Sequence, residues 1–257
     1  MNEISGKEIR LGRLFKQGKR LFIVPMDHGI TSGPLGGLED ISKTVKQVSE
    51  GGADAVIVHK GLARYISSNL APVNCELIIH LSASTSLAAD PSRKELVSSV
   101  EQAIRLGAAA ASIHVNLGTP SEPQMLKDLG WAAEQCDRWG LPMLAMMYVK
   151  DGKPESEYDA GKIRHAARIA EELGADIIKV NYTATPDTFS MVTSSVKSPV
   201  IIAGGPKADS PDALYRMIKE AVAAGARGAA IGRNVFGTAD PVSVSRTIRR
   251  ILDNEIQ

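Results

Sequence analysis

The order of apolar and polar positions along the chain repeats. Four times a helix-like stretch ends at Gly-Ala and an apolar run follows within a few residues: GGADAVIVH at 51–59, LGAAAASIHVN at 106–116, LGADIIKVN at 173–181 and AGARGAAIG at 224–232. Glycine at such a junction supplies a left-handed helix cap, and a near-continuous apolar run suits a parallel strand covered on both faces. Between these copies lie four more short runs, LFIVPMD at 21–27, ELIIHL at 76–81, PMLAMMY at 142–148 and PVIIAGG at 199–205. Helical periodicity follows each of them.

Eight strands alternating with helices at the spacing of βα units predict one (β/α)8 barrel of α/β class spanning residues 1–257, with 1–20 as an extension or helix ahead of the first strand. Barrels of this kind commonly run to about 250 residues as a single unit. The alternative is a doubly wound open sheet. That fold usually has fewer strands and often a glycine-rich dinucleotide turn after the first, where this chain has DHGITSG at 27–33.

Composition and charge remove several classes of function. Thirty basic against 29 acidic side chains give a net charge of +1, which creates no field to gather nucleic acid or an anionic membrane. Arg246, Arg249 and Arg250 stand at helical spacing and read as a solvated helix face. Aromatic residues make up only 4%, too few for base-stacking platforms. No run approaches the roughly 18 apolar residues of a membrane span, and the first twenty residues carry charges throughout, so a cytoplasmic chain is expected. Cys75 and Cys136 are too few for a disulfide framework and lack zinc-ligand spacing; they read as reduced packing residues, with a catalytic thiol as the minor alternative.

In a barrel, chemistry stands at the carboxyl ends of the strands. Here those ends carry Asp27 and His28, His59 and Lys60, His80, His114 and Asn116, Tyr148, Lys179 and Asn181, Gly204 and Gly205, and Gly232 and Arg233. Lys179 interrupts the apolar run Ile177, Ile178, Val180. If Ile178 and Val180 face the helices, Lys179 points inward, where burial and neighbouring cations favour the neutral, nucleophilic amine. A snorkelling or carboxylate-paired lysine is the structural alternative. Asp27 and Tyr148 qualify as proton-transfer groups for Schiff-base chemistry, although a capping aspartate and a core tyrosine would read alike. Gly204, Gly205, Gly232 and Arg233 stand where barrels commonly hold a phosphate. His59, His80 and His114 permit a rival in which zinc polarises a ketone. Met143, Met146 and Met147 read as core filling.

The segments at 24–34 (VPMDHGITSGP), 59–61 (HKG), 79–85 (IHLSAST), 112–118 (SIHVNLG), 144–148 (LAMMY), 203–207 (AGGPK) and 231–236 (IGRNVF) together resemble, end to end, the class I aldolases of archaeal type. Within them they resemble the group that makes 2-amino-3,7-dideoxy-D-threo-hept-6-ulosonate and 2-amino-4,5-dihydroxy-6-oxo-7-(phosphonooxy)heptanoate. The resemblance implies Lys179 as Schiff-base lysine, Tyr148 as proton donor and Asp27 as proton acceptor. It implies substrate contacts at His28, Gly29, Ile30, Thr31, Val149, Lys150, Gly204, Gly205, Gly232 and Arg233. The reaction implied joins a three-carbon keto-phosphate, such as dihydroxyacetone phosphate, to L-aspartate semialdehyde, without cofactor or metal. The partners implied are these small molecules and copies of the chain itself, in a homo-oligomeric ring whose number of subunits, a decamer being one choice, is left open.

Two departures stand out. Val149-Lys150 replaces the family's Pro-Arg, and lysine does not reproduce a bidentate guanidinium. Asn181-Tyr182-Thr183-Ala184 forms a loop that varies in the family and shapes the acceptor pocket. The Ala-Ser-Thr of 83–85 is closer to the branch that uses dihydroxyacetone phosphate. Fructose-bisphosphate aldolase activity is the nearest competitor, because the lysine, tyrosine and phosphate groups would be shared. A sugar-phosphate sensor that has lost catalysis is a third reading.

Overall fold

Strand β1 (Leu21–Pro25), made entirely of buried residues, opens the sheet. The structure is a computed structural model that describes residues 6–16, 18–70 and 74–255. β2 (Ala55–Val58) and β3 (Glu76–His80) follow, then a two-stranded antiparallel hairpin, β4 (Ser82–Ala83) with β5 (Glu95–Leu96). The remaining strands are β6 (Ala110–Leu117), β7 (Met143–Val149), β8 (Ile177–Val180), β9 (Val200–Ala203) and β10 (Gly228–Ala230). All but the hairpin close a parallel barrel in the order β1-β10-β9-β8-β7-β6-β3-β2. It is a single-domain (β/α)8 barrel, as the eight apolar runs predict.

Helices cover the outside because each presents one apolar stripe to strands that are apolar on both faces. They are α3 (Ile41–Glu50), α4 (Lys60–Leu70), α5 (Val100–Arg105), α6 (Glu122–Trp139), α7 (Ala160–Glu172), α8 (Pro186–Thr193), α9 (Pro211–Ala223) and α11 (Pro241–Leu252); α2 (Gly29–Ser32) and α10 (Arg233–Phe236) are single turns at the mouth. At the four repeated junctions Gly52, Gly107, Gly174 and Gly225 take φ between +81° and +94°, a conformation that costs other residues energy. α1 (Gly6–Leu14) lies below the barrel, where Leu14 joins the interior cluster and Leu11 and Phe15 pack against it.

Two apolar layers result. Ile178 and Val180 belong to the layer between strands and helices, whereas Ile177 belongs to the barrel interior with Leu144, Met146 and Ile201. Strand alternation therefore turns Lys179 inward with Ile177. One expectation is corrected. Arg246 and Arg250 are exposed, but the Arg249 side chain is only 14% exposed. Its guanidinium donates to Asp54 at 2.7 Å, to Asp253 at 2.9 Å and to the carbonyl of Arg20 at 2.8 Å, because this residue falls on the edge of α11 that meets the barrel floor. It clamps the chain's two ends together and does not form a solvated stripe.

Candidate active site

Lys179 is 6% exposed and ends at the floor of a cavity of about 440 Å³ at the carboxyl ends of the strands. Its Nζ donates to Met146 Sδ at 3.8 Å and stands 5.8 Å from the centre of the Tyr148 ring. Tyr148 and Met146 alternate inward on β7, and Met146 is in register with Lys179 on β8. The phenol and the amine thus share one chamber because two adjacent strands pair in that register. A larger depression of about 570 Å³ around Trp131 and Lys60 on the outer surface contains none of the residues predicted for catalysis.

Asp27 lies in the turn between β1 and α2 with its side chain 17% exposed. His80 Nε2 approaches one of its oxygens and His28 Nδ1 the other, each at 3.7 Å. Behind it, His80 Nδ1 meets Ser112 Oγ at 2.8 Å, and His59 stacks edge-on against the His80 ring. Burial resists ionisation of Asp27, but His80, His28, Lys179 and His59 outweigh it and hold the carboxyl far below the usual range. Burial also depresses the histidines: His80 falls to about 4 despite Asp27, and His28, His59 and His114 shift in the same direction. Asp27 is therefore an ionised carboxylate in the cavity that also holds the Lys179 amine.

At the other side of the mouth the loop after β9 meets α10. Asn234, 7% exposed, donates to the carbonyls of Gly204 and Pro206 and accepts from Ala208 N, while Arg233 donates to Gly205 O at 2.8 Å. Within α10 the first hydrogen bonds are from Val235 N and Phe236 N to Gly232 O, so the preceding amides of the turn have no helical acceptor. A Cβ on Gly232 would stand 2.7 Å from Pro25 O, so only glycine lets this backbone reach the cavity wall. Amides without a helical acceptor beside a guanidinium form a cradle whose chemistry could accept an anion such as a phosphate.

A profile of the DeoC/LacD family aldolases matches residues 21–238. The chain belongs to that family. It is an enzyme of aldol carbon–carbon chemistry. The aldolase is 47% identical over 249 residues to 2-amino-3,7-dideoxy-D-threo-hept-6-ulosonate synthase 1 of Archaeoglobus fulgidus, covering 96% of this chain and 91% of that one. It is 38% identical to the 2-amino-4,5-dihydroxy-6-oxo-7-(phosphonooxy)heptanoate synthase of Streptomyces griseus, covering 96% and 90%. Among solved structures, an archaeal fructose 1,6-bisphosphate aldolase superposes with a TM-score of 0.87 at 29% identity, covering 97% of this chain and 99% of that one. Another, whose catalytic lysine is covalently bound to the substrate's carbinolamine intermediate, gives 0.86 at 28% identity, covering 96% and 99%.

In the aldolase, Asp27, His28, Thr31, Tyr148, Lys150, Lys179, Gly204, Gly205, Gly232 and Arg233 all line the cavity. Ile30 reaches only a small side recess beside Asp27. Gly29 and Val149 do not line the cavity; Gly29 is exposed on α2, and alternation along β7 turns Val149 outward where Tyr148 turns in. Of the three histidines read as a zinc set, His80 is engaged with Ser112 and Asp27 and His114 Nε2 with Asn116 Oδ1 at 2.8 Å, whereas neither ring nitrogen of His59 has a hydrogen-bond partner among the described residues. Among the described residues no group of three or more His, Cys, Asp or Glu is disposed to hold a metal.

Sequence reasoning missed Met146 as a cavity residue, Glu157, and above all Lys94, which the β4–β5 arm delivers to the wall. Glu157 is bound to Lys150 at 2.6 Å. The arm is anchored by Thr31 Oγ1 donating to Ser84 O and by Asn116 Nδ2 donating to Ser92 O. Only the charge of Lys94 in a short polar stretch was visible in the sequence.

Proposed function

We propose that this aldolase joins dihydroxyacetone phosphate, or a related three-carbon keto-phosphate, to L-aspartate semialdehyde through a Schiff base on Lys179. The observation that carries the reading is an inward amine on a cavity floor, facing a phenol and an ionised carboxylate, with an anion cradle at one side of the mouth. A seven-carbon skeleton with an amino group at C2, hydroxyls at C4 and C5, a ketone at C6 and phosphate at C7 divides at its C4–C5 bond into these two substrates. The two synthase relatives support the seven-carbon product.

The Lys179 amine adds to the donor ketone, and Tyr148 protonates the departing hydroxyl so that water leaves and an iminium forms. The iminium draws electrons from the adjacent hydroxymethyl carbon, and Asp27 takes the proton released there. The resulting enamine attacks the aldehyde carbon, closing the new bond and reforming the iminium. Asp27 or Tyr148 protonates the alkoxide, and water hydrolyses the iminium to free the product and the amine. The phosphate, held by the Gly204 to Arg233 side, fixes the ketone over Lys179.

Incubation with dihydroxyacetone phosphate, borohydride reduction and peptide mapping is expected to place the adduct on Lys179, with no sensitivity to chelator. A Lys179→Met variant that turns over normally ends the reading. The second reading, fructose-bisphosphate aldolase, is favoured by the structural neighbours. It predicts that glyceraldehyde 3-phosphate outcompetes L-aspartate semialdehyde as acceptor. A homo-oligomeric ring in the cytoplasm completes the proposal: Trp131 and Trp139 of α6 are 44% and 47% exposed, which suits burial against another copy. Light scattering of the purified protein tests it, and a monomer mass refutes it.

A further inference from the structure

Four lysine and arginine side chains line the cavity: Lys94, Lys150, Lys179 and Arg233. Lys179 is the proposed nucleophile, Arg233 is held by Gly205 O beside the cradle, and Lys150 is neutralised by Glu157 at 2.6 Å. Lys94 forms no ion pair among the described residues. Its Nζ donates to Ser84 Oγ at 2.5 Å and, at 3.5 Å, to Pro91 O, both on its own arm. Asp90, four residues earlier, accepts from Ser121 Oγ at 2.8 Å and from Ser92 N and forms no ion pair with Lys94. Burial depresses the Lys94 ammonium, with Asp27 and Asp90 offsetting the effect only in part. A cation left in this state is short of one anion.

Its place in the ring says which anion. In the closed order β1-β10-β9-β8-β7-β6-β3-β2, β9 and β10 carry the cradle, and the strands four steps away are β3 and β6. The arm bearing Lys94 grows from β3 and is tied to β6 through His114 N, which donates to Ser82 Oγ at 3.0 Å. A donor whose phosphate sits at β9–β10 and whose ketone sits on β8 directs its new bond toward β6 and β3. The acceptor's far end therefore arrives beside Lys94.

We propose that Lys94 is the acceptor-carboxylate site: its ammonium, presented by the β4–β5 arm opposite the phosphate cradle, binds the carboxylate of the aldehyde substrate and selects acidic aldehydes over neutral ones. The inference deepens the reading above and rests on it. The ligand class is a short aldehyde with a carboxylate at its other end, and Lys150, held by Glu157, flanks the same wall.

The test uses the whole enzyme with dihydroxyacetone phosphate and three acceptors: L-aspartate semialdehyde, succinate semialdehyde, which keeps the carboxylate and lacks the amine, and butanal, which lacks both. Wild type is expected to favour the two carboxylated aldehydes. Lys94→Gln raises KM for both by roughly 10- to 100-fold, the loss of one charge-assisted hydrogen bond. Turnover of butanal and borohydride trapping on Lys179 stay near wild type, and Lys94→Arg keeps the preference. Equal weakening with all three acceptors, or no change in KM, overturns the assignment. If Lys94→Gln does not fold, the wild-type comparison still decides, since butanal used as well as succinate semialdehyde overturns it. No adduct on Lys179 in wild type overturns instead the reading beneath it.

Discussion

Tyr148→Phe removes one proton donor from the chamber and leaves the ring that faces Lys179. It is expected to lower kcat about 10²- to 10⁴-fold with little change in donor KM, measured in steady state; an unchanged kcat would move the proton-transfer role to another group. The two cysteines make the opposite case. Burial pushes both thiols up to about 12, so neither Cys75 nor Cys136 should react with a thiol reagent at pH 7 until the protein unfolds. Rapid labelling of the native enzyme would contradict their assignment as packing residues. At this scale much was legible, because a lysine inside an apolar strand declares itself by period-two alternation alone. Met146 and Lys94 were not. A methionine in an apolar run looks like filling, and a lysine in a polar loop looks like solvent-facing charge.

The single turn α10 and the loop after β9 act as one element because Asn234 bonds to three of the loop's backbone groups. Asn234→Ala leaves two carbonyls and one amide short of a partner. Donor KM for the phosphorylated ketone should rise about tenfold or more, while hydroxyacetone, which has no phosphate, is affected much less. Equal effects on both donors would assign Asn234 to folding alone. The α11 edge is structural in the same sense. Asp54→Ala takes from Arg249 one of its two carboxylates, and from Lys16 and the Phe22 amide their acceptor, and is expected to cost roughly 2–4 kcal/mol in urea unfolding, without altering trapping on Lys179. The glycine junctions and apolar runs announced the strands and helices, but nothing in the periodicity of 82–99 announced the β4–β5 arm. A two-residue strand is too short to show a period, and its pairing depends on β3 and β6 to hold it.

Over the whole molecule, the buried histidines tie stability to pH. His80, held neutral down to about 4 from an ordinary 6.5, refuses a proton that the unfolded chain accepts. Its contribution is constant above pH 6.5 and is lost progressively as pH falls toward 4, by on the order of 3 kcal/mol in all. His28, His59 and His114 act in the same direction. Between pH 7 and pH 5 Asp27 is ionised in both states and adds no slope. The melting temperature should therefore drop between pH 7 and pH 5, and a flat profile would refute the buried neutral histidines. The chain alone determined the order of eight strands, the inward direction of Lys179 and the glycines that turn helix into strand. These follow from local periodicity and backbone preference. Which strand ends meet was decided by closure of the barrel: it set Asp27 against His80, Tyr148 beside Lys179, and Lys94 across from Gly204. Contacts between residues so far apart in sequence depend on register and curvature, and no local pattern encodes those.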